Sequence, residues 1–227
     1  MKSATQVIVS TFGGYVGLMG IEHGLGEVLQ GNVAPNGTMI LSWPTSKFFE
    51  VLAGEPAMTI IPNLLVTGIL AILFSLMYVV WAIGFAQRKH GGLVLMMLSV
   101  IMLPVGAGIF PPILGMILGV IATTINAPLT WWRTHLSTNL RHFLETLWPW
   151  SFSACLISWL GMFPGIVLLW HWWKVDNSDL TMILLLCMFV FLFSTVVTGW
   201  VRDSQKQTGL SASTSNEAQS QKSSAAA

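Results

Sequence analysis

The chain has 227 residues, of which 54% are hydrophobic and only 8% charged, and its mean hydropathy is +0.72. Soluble domains carry roughly 25% charged residues, so these side chains cannot cover a water-soluble fold, and a multi-pass membrane protein is the class that remains. The net charge of +1 gives no basic field for nucleic acid, while eleven Trp against two Tyr fits a chain with bilayer interfaces, where Trp collects.

Met1-Lys2 and the apolar run from Val7 look like the start of a secretory signal, but no Ala-x-Ala-like site follows and the run continues into Glu22-His23. A retained first helix over residues 7–29 is the better expectation. Its far end carries Glu22, His23 and Glu27, the only closely grouped ionisable residues in any segment that reads as crossing a membrane. Charge at membrane depth is costly, which makes such residues functional candidates by default. On a helical projection Gly13, Gly17, Gly20 and Gly24 fall within about 60° of one another, a small-residue seam that lets another helix approach closely. His23 and Glu27 lie on the seam side as i, i+4 neighbours within hydrogen-bonding reach, and Glu22 points to roughly the opposite face.

The next stretch, residues 30–58, is the longest connection and is expected to face outward, with a small surface helix over 46–53. Residues 59–86 contain no charge and are long enough for a second span. Residues 91–132 contain no Asp, Glu, Lys, Arg or His. Their apolar part, 93–125, would measure about 50 Å as one helix, against a hydrocarbon core of about 30 Å. Its middle runs from Pro104 through Gly106 and Gly108 to Pro111-Pro112, where a chain would reverse. The positive-inside rule separates two short spans from one kinked span. With two, Lys2, Arg88, Lys89, Arg133, Arg141, Arg202, Lys206 and Lys222 lie inside against Lys47 and Lys174 outside; with one, only Lys2, Arg88, Lys89 and Lys174 lie inside. Two short spans are expected, and a re-entrant pair gives the same sidedness.

Residues 132–147 are amphipathic, with Trp132, Leu136, Leu140, Phe143, Leu144 and Leu147 on one arc and His135, Arg141, His142 and Glu145 on the other. They are expected to form an inner-surface helix before spans over 151–173 and 180–201. Cys155 and Cys187 fall inside these spans at depths about 10 Å apart, too far for a disulfide, so both read as free thiols. From residue 203 to 227 the chain turns to Ser, Gln, Ala and Thr and is expected to be a disordered cytoplasmic tail.

The expected fold is therefore an all-α polytopic transmembrane bundle (residues 1–202) of six spans, in the cell membrane, with both termini cytoplasmic. No phosphate-cradling loop, paired-Cys motif, Gly-x-Ser-x-Gly elbow or His-Glu-x-x-His occurs, no cofactor is implied, and the balance leans away from an enzyme. Three readings of the polar cluster compete: a structural clasp by His23 and Glu27, a proton or cation relay, and a ligand or metal site completed by His171 at the end of the fifth span. A haem protein would need His23 and His171 as facing ligands. The functional expectation is a small transporter or permeation protein for an ion or solute, with its polar site at Glu22 in the outer half of the bundle. The alternative is a non-catalytic component that binds a membrane partner, or a second copy of itself, through the glycine seam.

Overall fold

A computed structural model describes residues 2–175 and 177–225, and the protein is mostly helical, at 72%. Helix α1 (Ala4–Gln30) opens where Ser3 accepts a hydrogen bond from the Gln6 amide at 3.1 Å and closes at Gly31, whose φ of 86° is left-handed. A connecting loop contains a short antiparallel pair, β1 (Met39–Leu41) with β2 (Pro56–Met58), in register Met39 to Met58. The remaining helices are α2 (Leu64–Gly84), α3 (Gly91–Met102), α4 (Phe110–Ala122), α5 (Thr130–His135), α6 (Thr138–Leu160), α7 (Ile166–Trp173) and α8 (Ser178–Ala225). Among the described residues four stretches are long and apolar enough to cross a membrane: Ala4–Gln30, Leu64–Gly84, Thr138–Trp173 and Ser178–Gln207. α3 and α4 are apolar but shorter.

Helix α1 is the centre of the bundle. It packs on α2, α4 and α8, and Ile8, Val9, Phe12 and Val16 are fully buried. Phe12 meets the Trp159 ring at 4.8 Å and the Phe152 ring at 5.6 Å, geometry in which aromatic pairs attract beyond their buried area. The glycine seam faces α2. A Cβ on Gly13 would strike Ala82, one on Gly17 would strike Val79 and the Ser75 carbonyl, and one on Gly24 would strike the Gly68 carbonyl. The close approach expected of the seam is thus made within this chain, and that surface is not free for a partner.

Four expectations need correction. The loop is not all-helical: it holds the β1–β2 pair, and the small helix expected over 46–53 is reduced to one 3-10 turn, Glu50–Leu52. The amphipathic stretch 132–147 is not one helix. Leu136 is extended, and Ser137 starts α6 afresh by accepting from the Leu140 amide at 3.4 Å. The next span is broken, because Phe163 has φ −148° and ψ 125° inside the π-helical turn Gly161–Gly165, ahead of Pro164. Helix α8 continues past Arg202 into the segment expected as tail. Asp203 and Ser204 are buried, because Asp203 accepts from the Ala4 amide at 2.6 Å, the Thr5 amide at 2.9 Å and the Thr5 hydroxyl at 2.7 Å. The two amides are orphan donors at the start of α1. Side chains beyond Gln207 lie outside the described set.

α3 and α4 form a tight hairpin in which Gly92 and Gly119 face each other's backbone. Its base lies at the foot of α2, where the Trp81 indole donates to the Gly91 carbonyl at 3.1 Å. Its tip meets the loop: the Ile60 amide donates to the Pro104 carbonyl at 3.1 Å, and the Gly106 amide to the Met58 carbonyl at 2.9 Å. The non-helical backbone at the tip thus finds hydrogen-bond partners in the loop. Cys155 and Cys187 are free thiols.

Candidate functional site

The loop end of α1 carries the ionisable cluster, and the loop folds down over it. His23 is 4% exposed, Glu27 0% and Glu55 7%. His23 stands at the centre. Its Nδ1 lies 2.9 Å from the Ser42 hydroxyl, and its Nε2 lies 3.0 Å from Glu55 Oε2. The Ser42 hydroxyl in turn donates to Glu27 Oε1 at 3.4 Å. His23 and Glu27 therefore communicate through Ser42. Glu22 accepts from the Trp43 indole, whose ring stacks on Phe49 at 4.9 Å.

Glu55 is placed by backbone geometry. Ala53, Gly54 and Glu55 all have left-handed φ, at 52°, 72° and 56°. For a non-glycine residue that conformation is uncommon and costs about 1–2 kcal/mol, so it persists only where the surroundings hold it. Here the turn presents Glu55 to His23 and pairs its amide and carbonyl with Leu52 and Ser42. Burial disfavours charge on Glu55, but the hydrogen bond from His23, the positive charge it can carry and a hydrogen bond with Glu22 together outweigh burial, holding the carboxyl below its ordinary range.

The turn between α3 and α4 closes the site from below. Gly106 (φ 90°) and Gly108 (φ 81°) are left-handed, and a Cβ on either would run into the Glu27 carboxylate or the His23 ring respectively. Glycine is required there for both reasons.

Glu22, His23 and Glu55 bring their ligating atoms within 4.8 Å of one another. Two ligands on one Zn²⁺ lie at most about 4.2 Å apart, given bonds of about 2.1 Å, so as it stands the group is a hydrogen-bonded ion pair with a second carboxylate beside it. Glu27 Oε2 is buried without a hydrogen-bond partner among the described residues, and the Glu22 carboxyl lies within hydrogen-bonding reach of Glu55. Carboxylate oxygens brought side by side repel unless a proton or a cation comes between them.

No protein-family model matches the chain, and comparison with curated proteins and with solved structures finds no match.

The geometry redistributes the expected site. Glu22, His23 and Glu27 do gather at one place, although Glu22 is not isolated on a far face: Trp43 and Glu55 reach round to it. His171 does not join them. It is exposed, packed against the rings of Phe48 at 5.3 Å and Trp172 at 6.4 Å, so it makes neither a metal site nor a haem pair with His23. Glu55 takes the place expected for His171, and Ser42 and Trp43 complete the group. The only sequence signal for Glu55 is the run Ala53-Gly54-Glu55-Pro56, a turn signature with one acid in it.

A cavity of about 280 Å³ adjoins the ion pair. His23 and Glu55 form its polar end, and its other walls include Tyr15, Phe110, Trp159, Phe163 and Leu185. The break in the α6–α7 span borders it through Met162 and Phe163, and the Tyr15 hydroxyl donates to the Trp159 carbonyl at 2.9 Å.

Proposed function

We propose that this is a small transport or permeation protein of the cell membrane, with six spans and both termini in the cytoplasm, whose solute site is the Glu22–His23–Glu55 group in the outer half of the bundle. The observation that carries the reading is the gathering of two carboxyl groups, Glu22 and Glu55, on one imidazole, His23, with their ligating atoms within 4.8 Å of one another and the Glu55–His23 pair at the end of a cavity. A structural clasp of His23 by Glu55 needs no second carboxyl, and burying one costs stability. A site that takes up and releases a positive charge needs that arrangement.

Two further features support it. A discontinuous span beside the site is a feature of transporters, where broken helices border the bound solute, and Phe163 supplies such a break. The α3–α4 hairpin reaches from the foot of α2 to the loop, as a pair of short spans would, and two short spans place most Lys and Arg inside.

The test is uptake of small cations into vesicles reconstituted with purified protein. Wild-type protein is expected to give protein-dependent uptake, and Glu22→Gln to abolish it while the protein still elutes as a folded species. Equal uptake by the two proteins would refute the assignment.

A further inference from the structure

The cavity has one polar end and apolar, aromatic walls, and the charges around it select the kind of molecule it takes. We infer that it binds a hydrophobic cation: an amine or quaternary ammonium carried on an apolar group, with the charged end against Glu55 and the apolar end between Trp159 and Leu185. The inference rests on the reading of the site just given and names its solute class.

Size comes first. At about 280 Å³ the space sits at the lower edge of the roughly 300–1,000 Å³ of small-molecule pockets, so it fits a compact ligand and not a diacyl lipid. The walls come second. Tyr15, Phe110, Trp159 and Phe163 line it, and aromatic faces attract cations as well as apolar groups.

The polar end comes last. Glu55 and His23 face the cavity, and the Glu22 carboxyl stands beside them with its ligating atom within 4.8 Å of theirs. Two carboxyl groups on one imidazole can exchange a shared proton for a bound positive charge, whereas an anion placed against Glu55 would meet its carboxylate. It would also lack the usual amide donors: α4 starts at this cavity, but Pro111 and Pro112 occupy its first turn and have no N–H to offer.

Isothermal titration calorimetry on the purified full-length protein in detergent tests this with benzyltrimethylammonium and its uncharged carbon isostere, neopentylbenzene. The expected result is saturable binding of the cation, at least tenfold weaker binding of the isostere, and at least a tenfold loss of cation affinity in Glu55→Gln. Leu185→Trp, which fills the apolar end and leaves every charge in place, is expected to abolish binding of both; its thermal unfolding curve verifies that it is folded. Equal affinity for the two compounds, or cation binding unchanged in both variants, would overturn the inference. Binding is read without flux, so a protein that binds the cation but carries nothing across vesicles contradicts the transport reading alone. Uptake of small cations that depends on Glu22 but occurs without benzyltrimethylammonium binding contradicts this inference alone.

Discussion

Glu55 holds an unfavourable backbone conformation to reach His23, and the pairing repays it. Both side chains are buried, and removing one partner of a buried pair costs about 3–5 kcal/mol because the other is left without compensation. Glu55→Gln is therefore expected to lower the unfolding midpoint measured in detergent at about pH 6 by an amount matching roughly 3 kcal/mol. The pH dependence follows from the direction of the Glu55 shift. Its carboxyl is held below its ordinary value in the folded protein, so between the folded and unfolded values the unfolded chain binds more protons, and stability rises with pH. The stabilisation is complete above the unfolded value near about 4.3 and is lost as pH falls through the folded value. Thermal unfolding followed from about pH 5 to about pH 3 is expected to show a falling midpoint, and Glu55→Gln is expected to flatten that slope. A slope unchanged in Glu55→Gln would assign the acid sensitivity to other carboxylates. The three acids and the imidazole differ in how far sequence reveals them. Glu22, His23 and Glu27 stand out because they interrupt an apolar helix. Glu55 sits in a loop among other polar residues, and only the fold shows that it is buried while Glu50, five residues earlier, is exposed.

At the scale of elements, the seam on α1 was legible because helical periodicity is strict: four glycines at the right spacing can only share a face. What the spacing leaves open is which helix fills it, and α2 does. Gly17→Leu is expected to abolish the folded monomer peak in size-exclusion chromatography, since the Val79 side chain and the Ser75 carbonyl already occupy that space. A folded monomer that merely lost an oligomeric state would point instead to a seam that serves a partner. The junction between α1 and α8 was not legible. Asp203 lies beyond the last apolar residue of its span and reads as the first residue of a polar tail, yet it takes three hydrogen bonds from Ala4 and Thr5. Asp203→Ala is expected to cost about 1–3 kcal/mol in unfolding measurements, the penalty for leaving buried donors unpaired. Truncation after Gln207 keeps that cap and is expected to leave the midpoint unchanged. The breaks at Leu136 and Phe163 escaped the sequence reading because each adjoins a continuous apolar pattern. Hydrophobic periodicity reports which face is buried, not whether the backbone stays helical across a Ser or a Pro.

For the whole molecule, the low share of charged residues pointed to several long apolar helices, and four helices among the described residues are long and apolar enough to cross a membrane. The path of the chain between the α2 and α6 spans was harder, since the apolar run is too long for one span and barely long enough for two. The helices of the hairpin are shorter than α2, and the loop pairs with its tip, a tertiary contact with no local signature. Impermeant thiol labelling tests the resulting topology in a Cys155→Ser, Cys187→Ser background. Lys47→Cys is expected to label on intact cells, and Lys89→Cys and Arg141→Cys only after permeabilisation. Labelling of Arg141→Cys from outside, with Lys89→Cys protected, would mean that the hairpin does not return the chain to its starting side.

The central claim is that the group around His23 takes up a positively charged solute. Charge displacement on a solid-supported membrane reports that event at the site directly. A concentration jump of benzyltrimethylammonium onto membranes holding the wild-type protein is expected to give a transient current that saturates with concentration and is lost in both Glu22→Gln and Glu55→Gln. A current of the same size in the variants, or none from folded wild-type protein, would contradict the account.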